Sequence, residues 1–213
     1  MSQAAMKGGD VPRYTAGERA NHWTVAILFI LLTASGLAFF HPSFYFLAWL
    51  LGGGPWARIL HPFLGVLMFL FFLFMMIRYW DENKIQPYDR EWGKRLADVI
   101  NNRDHNLPEI GKYNLGQKQL FWVQVVTMFL LLISGIVLWR PYFAGFFPIW
   151  VVRLGAVVHA VAAFVLILGI IVHVYAAFWV KGSLRAMTRG TVSHAWARHH
   201  HPLWYRKVTG GAK

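Results

Sequence analysis

Cysteine is absent from this 213-residue chain. No disulfide, thiolate zinc site or iron–sulfur cluster with ordinary cysteine ligation can form within it. Covalent haem attachment through a Cys-x-x-Cys-His motif is excluded on the same ground. Acidic residues are scarce, 9 Asp and Glu against 21 Lys and Arg. None of them falls inside a long apolar run, which disfavours a carboxylate-based metal or proton site at membrane depth. Met1–Ala20 holds no apolar stretch, so no cleavable signal peptide is expected there.

Apolar residues are plentiful, at 57% of the chain with Trp 11 and Phe 17. Four uncharged runs stand out: Trp23–Phe40, Ile59–Ile77, Gln119–Trp139 and Leu154–Val180. Each reaches the roughly 17–25 residues that cross a bilayer core as a helix. The expected fold is therefore all-α: an integral membrane bundle of four transmembrane helices, about 16–40, 55–79, 117–140 and 150–181. The whole chain, 1–213, is expected to be a single membrane domain with a polar loop at 80–116 and a tail at 182–213.

The net charge of +12 is unevenly placed. Lys and Arg gather in Met1–Arg19, in Arg78–Lys118 and from Lys181 onward. The other two connections carry only Arg58, Arg140 and Arg153. The positive-inside rule puts both termini and the central loop in the cytoplasm. Topology and anionic lipid account for the basic excess, and nucleic acid is not expected as a partner. Arg58, Arg140 and Arg153 fall near the outer interface, where they suit lipid head groups, a cofactor's carboxylates or an acidic partner surface equally.

Thr15-x-x-Glu18 reads as a capping box that starts the first helix near Ala16. Gly54-Pro55 reads as the start of the second, with proline at its first turn. Helix direction then assigns a depth to each histidine in the spans. His61 and His159 share the outer half, and His22 and His173 the inner half. His159 and His173 are fourteen residues apart, nearly four whole turns, so both leave one helix face about 21 Å apart. Neutral imidazole is a good axial ligand and needs no carboxylate beside it. Two histidine pairs at two depths suggest two metal centres of the non-covalent, b-type haem kind.

Gly65, Gly155 and Gly169 each lie four residues from one of these histidines, on the same helix face. They leave room for a flat ring or, equally, let helices approach one another. An internal repeat doubles the pattern. Leu31-Leu32-Thr33-Ala34-Ser35-Gly36, ending in Pro42 and Phe44, matches Leu130-Leu131-Leu132-Ile133-Ser134-Gly135, ending in Pro141 and Phe143. His61 and His159 follow at nearly the same offset, as in two parallel helical hairpins. The inner pair breaks the symmetry, since Phe121 and Met75 occupy the matching positions.

In the central loop, Trp92, Leu96, Val99 and Ile100 share a helical face among charged residues, which predicts one amphipathic interfacial helix. Beyond it, Asn114, Gly116 and Gln117 form a polar cluster at the start of the third span. That cluster suits a quinone head group, and equally an N-cap and turn. His199-His200-His201 falls in what reads as a solvated basic tail. His41 and His105 lie in loops without an assigned role.

Several blocks are distinctive together: Arg13-Tyr14-Thr15, Glu18-Arg19, Asn21-His22-Trp23, Arg58-Ile59-Leu60-His61-Pro62-Phe63, Gly111-Lys112-Tyr113-Asn114 and Gly116-Gln117-Lys118. Ser134-Gly135, Trp139-Arg140-Pro141-Tyr142-Phe143 and Trp179-Val180-Lys181-Gly182 complete the set. The chain from about Arg13 to Tyr205 resembles the cytochrome b (gamma) subunits of respiratory membrane-bound formate dehydrogenase. Met1–Val11 and the end beyond Tyr205 fit that pattern less well.

The resemblance implies a di-haem b membrane anchor in a bacterial inner membrane. His61 and His159 would hold the outer haem, and His22 and His173 the inner one. Asn114, Gly116, Gln117 and His173 would bind a quinone, menaquinone or ubiquinone. The implied partners are an iron–sulfur (beta) subunit and a molybdenum- or tungsten-containing catalytic (alpha) subunit, on which formate oxidation would take place. The anchor would pass electrons from the outer face to quinone on the cytoplasmic side, coupled to a proton-motive force. A cytochrome b anchor of another respiratory complex, such as a membrane-bound hydrogenase, shares this logic. A haem-free histidine-based metal transporter would leave the same histidines colourless.

Overall fold

In the computed structural model, residues 9–101 and 103–211 are described. The first eight residues, part of the segment expected to depart from the family pattern, lie outside them, as do the last two. Four long apolar helices dominate: α1 (Ala16–Phe40), α2 (Gly54–Tyr79), α5 (Leu115–Leu138) and α6 (Ile149–Trp179). Only 11–28% of the most apolar stretch of each is buried within the chain. Side chains such as Ile27, Phe74, Val126 and Phe164 stand exposed on their outer faces. Lipid tails, not water, are the solvent that makes such surfaces stable.

Local chemistry places the helix ends. Thr15 N donates to Glu18 Oε2 at 2.7 Å and Glu18 N donates to Thr15 Oγ1 at 3.2 Å, so the expected capping box starts α1. Pro62 sits inside α2 without ending it. A ten-residue 3-10 helix, Pro42–Leu51, follows α1. His41 caps it by accepting from Ser43 N at 3.2 Å. Gly52 and Gly53, both at positive φ, close it. Phe44, Tyr45, Phe46 and Trp49 on this segment are exposed, the composition of an aromatic belt at a membrane surface.

The chain forms two compact units. One comprises Ala20–Arg78 and Val123–His173, the bulk of the four apolar helices. Its helices are joined by edge-to-face rings, Phe69 with Phe129 at 5.1 Å and Phe63 with Trp139 at 4.9 Å. Asn21 Nδ2 donates across to the Phe71 carbonyl at 3.0 Å.

The other unit comprises Met1–Arg19, Tyr79–Trp122 and Val174–Lys213. Its short elements are β1 (Val11–Pro12), α3 (Pro87–Lys94), α4 (Leu96–Ile100), α7 (Ser183–Arg189), β2 (Thr191–Val192), α8 (His194–His200) and α9 (Pro202–Thr209). The two strands pair antiparallel, Val11 with Val192. Val11, Ala186, Val192, Ala197 and Trp204 form a small core beneath them.

Two expectations are corrected here. The amphipathic stretch of the loop is two helices, not one, because the backbone turns away from helical geometry at Arg95. Trp92 is buried while Leu96 and Ile100 remain exposed. The tail is only partly solvated: Arg198, His199, Arg206 and Lys207 are exposed, but the segment is folded. Leu203 N donates to the Ile110 carbonyl at 3.1 Å, and His201 is buried. The apolar residues of Pro202-Leu203-Trp204-Tyr205 give α9 a face to bury, and the basic residues lie around it.

Candidate functional site

In the helical unit, His61 on α2 and His159 on α6 bring their rings to a centroid separation of 6.4 Å, at 59°. His22 on α1 and His173 on α6 do the same at 6.2 Å and 48°. The four residues are thus joined as the two pairs that helix depth indicates. Neither pair is stacked flat.

Each ring of the first pair has a fixed neighbour at Nδ1. Ser35 Oγ on α1 lies 2.7 Å from His61 Nδ1. Ser134 Oγ on α5 lies 2.9 Å from His159 Nδ1. Each hydroxyl also reaches the carbonyl four residues back, Leu31 at 2.9 Å and Leu130 at 2.5 Å. A polar side chain inside an apolar helix is satisfied this way without disturbing the helix ladder. The second pair lacks this support at one ring. His22 Nδ1 is buried with no hydrogen-bond partner among the described residues.

The serines are residues whose role sequence reasoning missed. They stood in view as the Ser-Gly dipeptide of the repeat, yet nothing in the sequence says what the hydroxyl faces. A Cβ on Gly155 would meet Val137 Cγ1 at 3.1 Å, and one on Gly65 would meet Leu32 at 4.0 Å. Gly155 therefore lets α5 and α6 approach closely, while the space at Gly65 is open to either use. The glycines beside the rings are Gly36, 3.7 Å from His61 Cε1, and Gly135, 3.4 Å from His159 Cε1, measured from an added Cβ.

The pairs fit an axially ligated metal in a macrocycle. With metal–imidazole bonds of about 2 Å and a ring nitrogen about 1.2 Å from its ring centre, two opposed ligands have centroids about 6.4 Å apart. The observed 6.4 Å and 6.2 Å match that spacing. Nδ1 being engaged at His61 and His159, Nε2 is the nitrogen left for a metal. Among the described residues, no group of three or more His, Cys, Asp or Glu could hold a metal by itself. That suits a macrocycle supplying the remaining ligands.

The polar cluster lies in the other unit. Asn114 N donates to Gln117 Oε1 at 3.0 Å, and Gln117 N donates to Asn114 Oδ1 at 2.9 Å. The two side chains therefore form the capping box of α5. Their oxygens are used and their amide NH2 groups are the remaining donors. Gly116 lies close to Asn114 and Trp92. Immediately after it, Lys118 is buried and paired with buried Asp89 at 2.6 Å, and also donates to the Lys84 carbonyl at 3.0 Å.

Four apolar helices carrying two opposed histidine pairs define a membrane cytochrome of the b type. Comparison with known proteins agrees: residues 13–190 match the prokaryotic cytochrome b561 family. The chain is 48% identical over 198 residues to the formate dehydrogenase cytochrome b556(fdo) subunit of Escherichia coli K12, covering 93% of each protein. It is 44% identical over 191 residues to that organism's nitrate-inducible cytochrome b556(Fdn) subunit, covering 90% of this chain and 88% of the relative. The Haemophilus influenzae formate dehydrogenase cytochrome b556 subunit is 44% identical over 195 residues, 92% of this chain and 82% of the relative. The chain belongs to the prokaryotic cytochrome b561 family, among the cytochrome b556 subunits of formate dehydrogenase. It is a multi-pass inner-membrane anchor that carries haem b, takes part in electron transport and works with other formate dehydrogenase subunits.

Proposed function

We propose that the chain holds two b haems, one between His61 and His159 and one between His22 and His173. The observation that carries this reading is the ring spacing of 6.4 Å and 6.2 Å in two pairs drawn from α1, α2 and α6. Bound there, the haems would supply reversible one-electron chemistry at two depths. The protein's part is to aim one imidazole nitrogen from each ring and to surround the pairs with apolar helices that exclude water. The fourteen-residue spacing of His159 and His173 sets the two centres about 21 Å apart along α6.

Charge placement supports a chain that is one integral membrane domain with both termini and the loop in the cytoplasm. The His61–His159 pair then lies toward the outer face, where an iron–sulfur (beta) subunit would deliver electrons from a molybdenum- or tungsten-containing catalytic (alpha) subunit. Quinone is assigned to Asn114, Gly116, Gln117 and His173. The amide donors left over by the α5 capping box support this, since a quinone oxygen accepts hydrogen bonds. Protons taken from the cytoplasm during quinone reduction would contribute to a proton-motive force.

The first test is a reduced-minus-oxidised spectrum of the detergent-solubilised full chain with haem and protein quantified together. Two b haems per chain are expected, and one or none would overturn the assignment. His22→Ala in the assembled complex should lose one haem and quinone reduction while formate oxidation with an artificial acceptor persists. Unchanged quinone reduction in that variant would remove the inner pair from the path.

A further inference from the structure

The two serine–histidine bonds carry a consequence beyond ligation. A hydroxyl has one proton. Ser35 Oγ lies within reach of the Leu31 and Leu32 carbonyls, at 2.9 and 3.1 Å, and Ser134 Oγ within reach of Leu130. A carbonyl only accepts, so a hydroxyl that donates to it keeps its lone pairs for an N–H. The chain of bonds then runs from His Nδ1–H to serine oxygen, and from serine O–H to the helix carbonyl. Each neutral ring carries its proton on Nδ1 and leaves the Nε2 lone pair bare.

We propose that Ser35 and Ser134 are positioning residues for the His61–His159 haem, each fixing the tautomer and orientation of its histidine and raising that ring's donor strength. The inference rests on the haem reading above. It adds that the two haems are made unequal by the protein's hydrogen bonds. A ring whose N–H is accepted by a neighbour is a richer donor and favours oxidised iron. The His61–His159 site has this support at both rings, and His22 has none at its buried Nδ1.

The arrangement also gives the Ser-Gly dipeptide of each half of the repeat the same part to play. Each helical hairpin supplies one histidine and, from its own first helix, the serine that aims it. Ser35 and His61 belong to the first hairpin, Ser134 and His159 to the second. Gly36 and Gly135, next to the serines, place bare backbone against the ring edges. An alanine Cβ would meet those edges at ordinary contact distance, so the glycines do not fix the rings by themselves, and at His159 the Leu131 carbonyl stands beside the serine as a second acceptor.

The test uses the haem-loaded full chain in detergent, with Ser35→Ala, Ser134→Ala and the double variant. Haem per protein, a redox titration followed in the visible band, and the electron paramagnetic resonance of the oxidised haems are measured. The expected result is an upward shift in the midpoint potential of one haem and a changed resonance for that haem alone. Ser35→Thr and Ser134→Thr, which keep the hydroxyl, should restore both. Repeating Ser35→Ala in a His22→Ala background, where the His61–His159 haem remains, should show the shift in the single component. Loss of one haem from the double variant, reversed by threonine, would support the same role. Two haems with unchanged potentials and resonances in the double variant would overturn the proposal, leaving the serines as helix-internal hydrogen bonds. A wild-type chain without haem would overturn the haem reading itself, and this inference with it.

Discussion

Single residues show where a backbone position or one buried atom decides the outcome. Gly190 sits at φ +83, and its carbonyl accepts from Arg13 N at 2.8 Å and Tyr14 N at 3.1 Å. A Cβ there would lie 2.6 Å from the Tyr14 carbonyl and collide with the Arg19 guanidinium. Gly190→Ala should cost about 1–2 kcal/mol from the left-handed backbone alone, with the clash in addition. A lowered thermal midpoint by circular dichroism in detergent would show it, and an unchanged midpoint would mean the turn is not held there. The same scale governs the histidines. Their depth followed from helical rise and topology, but a ring's hydrogen-bond partner lies on another helix and has no sequence signature. Ser35 and Ser134 were readable as repeated residues and not as partners.

At the level of elements, the start of α5 joins a cap to a buried ion pair. Lys118 in the first turn opposes the helix dipole, and Asp89 from α3 offsets it at 2.6 Å. Trp122 Nε1 donates to the Asn83 carbonyl at 3.0 Å, and Trp80 packs on Trp122 at 4.7 Å. The loop is thereby pinned to the helix. Lys118→Met would leave Asp89 buried without its cation and should destabilise by about 3–5 kcal/mol. Adding Asp89→Leu should recover part of that loss in a denaturation series: the orphaned charge is gone, but so is the bond Asp89 Oδ2 accepts from Gln86 N at 2.7 Å.

The cap itself separates two roles. Asn114→Asp keeps an oxygen to accept from Gln117 N but lacks the amide donor. Its helix should be as stable as wild type, while quinone reduction should fall by roughly tenfold, about the effect of one lost hydrogen bond. Equal rates would take Asn114 out of the quinone site. In the sequence the cap and quinone readings were of equal weight, since both need an amide before a helix. The geometry establishes the cap and leaves the amide donors for the second role.

Across the whole molecule, the basic segments are less exposed than their charge suggests. Arg13 is buried, with its Nη2 donating to the Lys112 carbonyl at 2.6 Å and its guanidinium 4.7 Å from the Trp204 ring centre. His201 Nδ1 donates to the Gly111 carbonyl at 2.9 Å, and its Nε2, 3.3 Å from Arg13, accepts. Burial first, and then the Arg13 charge, holds the His201 pKa well below 6.5. The unfolded chain would take up a proton there near pH 6.5, whereas the native ring would not until lower pH. Stability from His201 is therefore complete above 6.5 and is lost as pH falls from there toward the lowered native value. Protection of the α8 and α9 amides, taken relative to the free-peptide exchange rate at each pH, should fall below pH 6.5, and His201→Gln should flatten that dependence. Protection factors insensitive to pH in the wild type would mean that the tail is held without a contribution from the His201 ring.

The sequence by itself determined the membrane class, the four spans and the four histidines that the fold brings into two pairs. Run length, helical rise, the absence of cysteine and the absence of carboxylates from the long apolar runs are local or additive properties, and they survive without knowledge of contacts. Tertiary structure alone decided what faces what. It put serine hydroxyls on two histidines, set Gly155 against Val137, divided the amphipathic loop at Arg95 and folded the tail onto Arg13. Each of these depends on side chains from distant segments meeting in a low-dielectric interior, where an unmet polar group is costly. No spacing in a single chain encodes which partner meets it.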